Sequence, residues 1–282
     1  MSKLKKVLNK RNKKDPNAEM SFIDHIEELR WHIVRSLIAV IVGAIVLFIN
    51  TDIVFDQIIL GPAKPEFITY KYMCKLADLI QVSSLCMQEI NLDFQNTELS
   101  GQFMMSFSVS FMLGFIIAFP YIFWEFWRFV KPALTPKEIR SARGIVFWSS
   151  LLFFLGVLFA YYIIAPFTIN FFANYTLSPV FKNIITMSNY YSTLSDLVLG
   201  VGIVFELPVI VYFLSRIGLL TPAVMRGKRS FAILIIFVVA AVITPPDVFS
   251  LFLVCIPMLL LYEVSINISA RANKDYLKRN KD

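Results

Sequence analysis

The side chains most able to do chemistry in this 282-residue chain stand in HIEELR, residues 25–30. Two adjacent carboxylates, Glu27 and Glu28, sit just ahead of the first long apolar run, in surroundings rich in lysine and arginine. On a helix, His25, Glu28 and His32 would share one face, at a spacing that permits metal ligation. Three exposed ligands on one helix, with no thiolate or second carboxylate cluster in sequence reach, make a poor cage, and no metal or other cofactor is assigned. HExxH, the zinc-protease pattern, is absent. The plain reading of Glu28 is a solvated helix face supported by a Glu28–His32 pair at i, i+4.

Glu206 is the sharpest single residue. It lies midway along an apolar block, in GIVFELPVI, where a carboxyl costs several kcal/mol unless it is protonated, paired or turned to a polar cavity. Pro208 beside it removes a backbone donor and frees the carbonyl of Val204, weakening the helix locally. A protonated carboxyl bonded to a neighbouring backbone group would explain Glu206 structurally, but an intramembrane acid is a functional candidate by default. Glu125, in the aromatic stretch YIFWEFWRF, is expected to reach the headgroups from the end of its span.

The elements that must position these residues follow from composition. Hydrophobic side chains make up 57% of the chain and charged ones only 17%, which is too apolar for an ordinary soluble domain. The apolar residues are gathered in six blocks, about 33–49, 103–127, 145–165, 197–214, 231–243 and 248–262. About 20 apolar residues cross a bilayer core of ~30 Å, so the fold class is an all-α polytopic membrane protein with six transmembrane helices. The fifth block is short and the sixth little longer, so local thinning of the bilayer is expected there. With the N-terminus inside, 23 of the 27 lysines and arginines face the cytoplasm, leaving only Lys64, Lys71, Lys75 and Lys182 outside. The positive-inside rule therefore puts both termini in the cytoplasm. The net charge of +7 is then a matter of topology and calls for no nucleic acid.

Residues 1–19 read as a disordered basic tail near anionic headgroups, with no apolar core of a signal peptide. Residues 20–265 form the membrane domain and 266–282 a basic C-terminal tail. Between residues 22 and 33 the apolar stripe Phe22, Ile26, Leu29 and Ile33 predicts a helix lying on the membrane surface before the first span. Capping boxes are expected at Ser21–Asp24, Thr135–Glu138, Thr193–Asp196 and Thr244–Asp247, each opening a helix. In the last, Pro246 disfavours helical geometry at Pro245, which makes Asp247 itself the alternative cap. Cys255 falls in the last span as a packing residue. Cys74 and Cys86 share the long outside loop 51–102, where an oxidising compartment favours a disulfide over two free thiols.

HIEELR (25–30), FWRFVKPALTPKE (126–138), FELPV (205–209) and ITPPDVFS (243–250) together resemble TatC, the multispanning receptor subunit of the twin-arginine protein translocase. The resemblance covers Met20 to about Ser265. It departs in the length of the first outside loop, with its two cysteines, and at Leu251, where family members often carry glutamine.

The resemblance implies a cup- or glove-shaped six-helix bundle in a bacterial inner membrane that binds twin-arginine signal peptides of folded precursors. It implies export driven by the proton-motive force with TatA-like and TatB-like single-span partners, in an oligomeric receptor complex surrounded by membrane lipid. By motif position the signal-binding carboxylates are Glu28 and Glu138, with Arg30, Phe129 and Pro62 at other family positions. Thr244 and Asp247 fall in the outside-loop motif, and Glu206 is the intramembrane acid. Physical logic agrees, because consecutive arginines present rigid guanidinium forks that carboxylates accept bidentately, while surrounding lysines and arginines repel an indiscriminately basic peptide. Glu27, on this reading, points elsewhere. The rival classes are a proton-coupled secondary transporter using Glu206, which should show repeat symmetry that is not visible, and an intramembrane enzyme, which lacks a second central acid or a nucleophile.

Overall fold

A computed structural model describes residues 22–81, 86, 92–134, 136, 139, 144–178, 180 and 183–279. Ser21, Thr135, Glu138 and the tail 1–19 lie outside them. The long apolar blocks become helices because a backbone surrounded by hydrocarbon must satisfy its own polar groups. The helices are α1 (Phe22–Ile49), α2 (Ile68–Ile80), α3 (Gly101–Val130), α4 (Ile145–Asn174), α5 (Met187–Arg216), α6 (Pro222–Gly227), α7 (Arg229–Ile243) and α8 (Val248–Arg279). Five of them, α1, α3, α4, α5 and α8, are long and apolar enough to cross a membrane. α7, with 15 residues, is shorter, about 22 Å as a helix.

Three expectations change here. Residues 22–33 do not lie apart on a surface, since α1 runs unbroken from Phe22 to Ile49. The stripe residues Ile26 and Ile33 stay exposed along it. Thr193 lies inside α5; the helix opens earlier, at Thr186, whose hydroxyl accepts from the Asn189 N–H at 3.3 Å. The sixth helix is not short, because α8 carries Pro257 without breaking and continues to Arg279. At the α7–α8 corner Thr244 terminates α7, donating to Ala240 O at 2.9 Å, and Asp247 opens α8, accepting from Ser250 N at 2.6 Å.

The core lies where α3, α4, α5 and α8 meet. Phe119 and Phe153 stack there with centroids 3.6 Å apart, among Leu197, Val201 and Val254. α1 leans mainly on α3, at a seam where the close approach at Gly114 requires glycine. A Cβ on Gly114 would stand 2.7 Å from the Ala44 nitrogen, and one on Gly43 3.3 Å from the Gly114 Cα.

Beyond α1 the chain makes a π-helical turn (Val54–Ile59) and a buried 3-10 turn (Gly61–Ala63). Irregular backbone leaves carbonyls without helical partners, and three tyrosine hydroxyls take them up. Tyr161 donates to Ile58 O at 2.6 Å, Tyr190 to Ile59 O at 2.7 Å and Tyr70 to Pro62 O at 2.7 Å. Burial holds the Tyr70 hydroxyl well above the usual phenol range, so it stays a donor. Farther along, β1 (Phe94–Gln95) pairs in parallel with β2 (Ile185–Thr186), tying this loop to the start of α5. A disulfide joins Cys74 in α2 to Cys86, with Cα atoms 4.2 Å apart.

Candidate functional site

The N-terminal end of α1 and the C-terminal end of α3 are antiparallel neighbours, joined by a buried side-chain hydrogen bond. His32 Nδ1 donates to Oε2 of Glu125, a carboxylate only 1% exposed. Oε1 of Glu125 accepts from the Tyr121 hydroxyl at 3.0 Å and from Arg128 Nη1 at 3.3 Å. Arg35 Nη1 stands 3.9 Å from Oε2. Glu125 therefore does not reach out to headgroups, and His32 does not pair with Glu28. A carboxylate this deep is tolerable because cationic and hydroxyl donors surround it. No local pattern signals the pair, since its partners lie 93 residues apart.

One helical turn beyond this pair, on the same side of the seam, stand Glu28 on α1 and Phe129 on α3. The Phe129 ring stacks on His25 with centroids 4.3 Å apart and meets the His32 ring edge-on at 6.2 Å. Glu28 and Phe129 are both half-buried. None of the described residues gives Glu28 an ion pair or a side-chain hydrogen bond. Its neighbour Glu27 is exposed and lies 3.7 Å from Arg30, which also rests over the Trp31 ring. Among the described residues Glu28 is thus a carboxylate without a partner, on the helix face whose His25 and His32 pack against the Phe129 ring, one turn from the bonded Glu125. Such a group can receive a guanidinium without first losing a partner. Glu138, the second carboxylate expected here, lies outside the described residues.

The remaining candidates sit elsewhere. Pro62 is buried in its 3-10 turn beyond the far end of α1, held by Tyr70, and does not join Glu28 and Phe129. Asp247 and Thr244 hold the α7–α8 corner, where Asp247 Oδ2 is buried without a hydrogen-bond partner among the described residues. Ser250 also donates to Thr168 Oγ1 at 3.1 Å, fastening that corner to α4.

Glu206 stands at a break in α5, where its N–H bonds back to Ile203 O at 3.0 Å, three residues earlier, ahead of Pro208. Its Oε2 accepts from the Ser149 hydroxyl of α4 at 2.6 Å, and its Oε1 is buried with no partner among the described residues. The partner is thus a side chain on another helix and not a backbone group. Ser149 carried no signal in the sequence, since a serine inside an apolar run reads as a small packing residue.

Together these features define a class: a multi-pass helical membrane protein with an anionic, aromatic-flanked site at one end and a polar spot at mid-span. The family described as "Sec-independent protein translocase protein (TatC)" matches residues 24–257, and the chain belongs to that family. The Sec-independent protein translocase protein TatC of Blattabacterium sp. subsp. Periplaneta americana (strain BPLAN) is 42% identical over 263 residues, which cover 93% of this chain and 99% of that one. Two solved structures of the twin-arginine translocase receptor TatC are similar in fold. One superposes with a TM-score of 0.69 at 32% identity, over 87% of this chain and 99% of its own length. The other does so with a TM-score of 0.64 at 31% identity, over 88% and 99%.

Proposed function

We propose that this protein is the receptor of a twin-arginine translocase and that Glu28 and Glu138 receive the paired arginines of a precursor's signal peptide. The observation that carries the reading is the state of Glu28, half-buried and without a partner among the described residues, on the face that packs against Phe129, while the nearby Glu125 is bonded through both oxygens. Two guanidinium forks require two carboxylates, and supplying one from α1 and the other from the loop after α3 makes a site that only the folded bundle can build.

The same reading sets the chain in a bacterial inner membrane with six spans, α7 counted as the fifth, and with both termini in the cytoplasm. TatA-like and TatB-like single-span proteins are its partners, and the bare oxygen of Glu206 is where a polar group from such a span is accepted. In this orientation the Cys74–Cys86 bridge lies on the oxidising side. Unreduced, alkylated protein should retain the bridge by mass spectrometry, and two alkylated thiols would refute it.

The central test is retention of peptides by the detergent-solubilised protein. A signal peptide containing Arg-Arg should be retained and its Lys-Lys twin should not, because ammonium groups cannot make the bidentate contact. A crosslinker placed beside Glu28 should reach the peptide next to its arginine pair. Equal retention of both peptides, or crosslinks confined to the outer end of the bundle, would overturn the assignment.

A further inference from the structure

Helix α2 is apolar on two opposite sides, and only one of them is packed. Tyr70 and Ala77 are buried against the bundle, with Met73 and Cys74 half-buried beside them. On the other side Ile68, Tyr72, Leu76 and Leu79 recur at steps of four, four and three, so they form a single stripe. All four are exposed, Leu79 by 81%. Charged residues border the stripe along one edge, with Lys71 and Lys75 exposed and the Lys75 ammonium 5.8 Å above the Tyr72 ring.

The depth at which α2 docks indicates what covers that stripe. Thr69 donates to the Tyr162 carbonyl of α4, and Phe67, just ahead of α2, stacks on the Tyr162 ring at 5.6 Å. The other end of α4 carries exposed Phe147 and Trp148 close to Ile145, as an aromatic belt at a membrane boundary would. At about 1.5 Å per residue, Tyr162 stands ~26 Å along α4 from Ile145, close to the opposite edge of a ~30 Å hydrocarbon core. A helix fastened there lies at the boundary between acyl chains and headgroups. We propose that α2 is a membrane-interface helix whose Ile68, Tyr72, Leu76 and Leu79 are seated in the phospholipid leaflet, with Lys71 and Lys75 reaching headgroup phosphates.

Charge and geometry favour lipid over a protein partner. Lysines flanking an apolar stripe can bury their stems in the boundary while the ammonium groups meet phosphate, and tyrosine is enriched at that level. The Cys74–Cys86 bridge and the Tyr70 hydrogen bond hold the packed side, so the helix presents the other side without rolling. Which leaflet is entered rests on the orientation proposed above; contact with lipid does not.

The test places p-benzoylphenylalanine at Leu76 or, separately, at Leu79 in the full-length protein, reconstituted in vesicles of phosphatidylethanolamine and phosphatidylglycerol and then irradiated. Phospholipid adducts are expected at both positions, with several-fold fewer when the probe replaces Asp78, to the side of the stripe. The intact-disulfide mass reports that each variant has folded. No lipid adduct at either position in bridged protein, or a crosslink to a second copy as the main product, overturns the proposal. Arg-Arg peptide binding on the same vesicles should be unchanged, so its loss in otherwise unlabelled protein would strike the reading of Glu28 and leave this one standing.

Discussion

Glu125 and Glu206 are both buried carboxylates in apolar helices, yet the bundle treats them differently. Glu125 is held by His32, Tyr121 and Arg128, with Arg35 close by, and both of its oxygens are engaged. Glu206 has one donor, Ser149, and a bare second oxygen. A saturated anion fixes geometry because any movement leaves charge uncompensated, whereas a half-satisfied one retains an interaction for something that arrives. Glu125 therefore acts as a positioning residue, setting the register that brings Glu28 level with Phe129.

The largest effect should come from breaking the saturated cluster. Glu125→Ala leaves His32, Arg35 and Arg128 without their anion and should lower stability by about 3–5 kcal/mol, read by thermal or denaturant unfolding in detergent. Glu206→Ala should cost clearly less, and equal losses would erase the distinction drawn between the two acids. Next in size are the effects on binding. Glu28→Gln should weaken Arg-Arg peptide binding about tenfold or more, the worth of a charge-assisted hydrogen bond. Glu138→Gln should act similarly, and Glu27→Gln should change binding by less than about twofold, as expected for an exposed pair with Arg30. Matching losses for Glu27 and Glu28 would mean that both merely decorate a solvated face. Comparable with the Glu28 effect is Ser149→Ala, expected to cost about 1–3 kcal/mol of stability by stripping Glu206 of its donor. Combining it with Glu206→Leu should recover most of that loss, because removing both partners leaves no buried polar group unmet. A double variant as unstable as Ser149→Ala alone would show that Glu206 is bound by something else.

How much of this was readable beforehand depends on how far apart the interacting residues lie in the chain. The apolar blocks foretold the membrane helices, since the cost of bare backbone in hydrocarbon is paid locally. Asp247 was marked as a cap by Pro246 beside it. The Thr193 box misled because the pattern Thr-x-x-Asp has no meaning once a helix has already begun, at Thr186. From sequence, Glu125 reads as a headgroup-seeking acid and His32 as the partner of Glu28, because helix spacing speaks only of neighbours one turn away. Their true pairing spans α1 and α3. The tyrosine hydroxyls that hold the turns around Pro62 were hidden for the same reason, two of them reaching across from α4 and α5. Glu28 stood out because it runs against the charge of its surroundings, a contrast that needs no tertiary knowledge.

The glycine seam has a mechanical consequence. α1 touches α3 backbone to backbone at Gly43 and Gly114, and is pinned to it again at His32 and Glu125. Two fixed points determine a line, so neither helix can pivot on the other without losing one of them. Packed contacts of this kind yield little under load. Force applied near Glu28 would therefore pass along both helices together to Asn50, where α1 has ended, a few residues ahead of the π-helical turn that starts at Val54. That break in the regular helix lies about 33 Å along α1 from Glu28, a full bilayer core away.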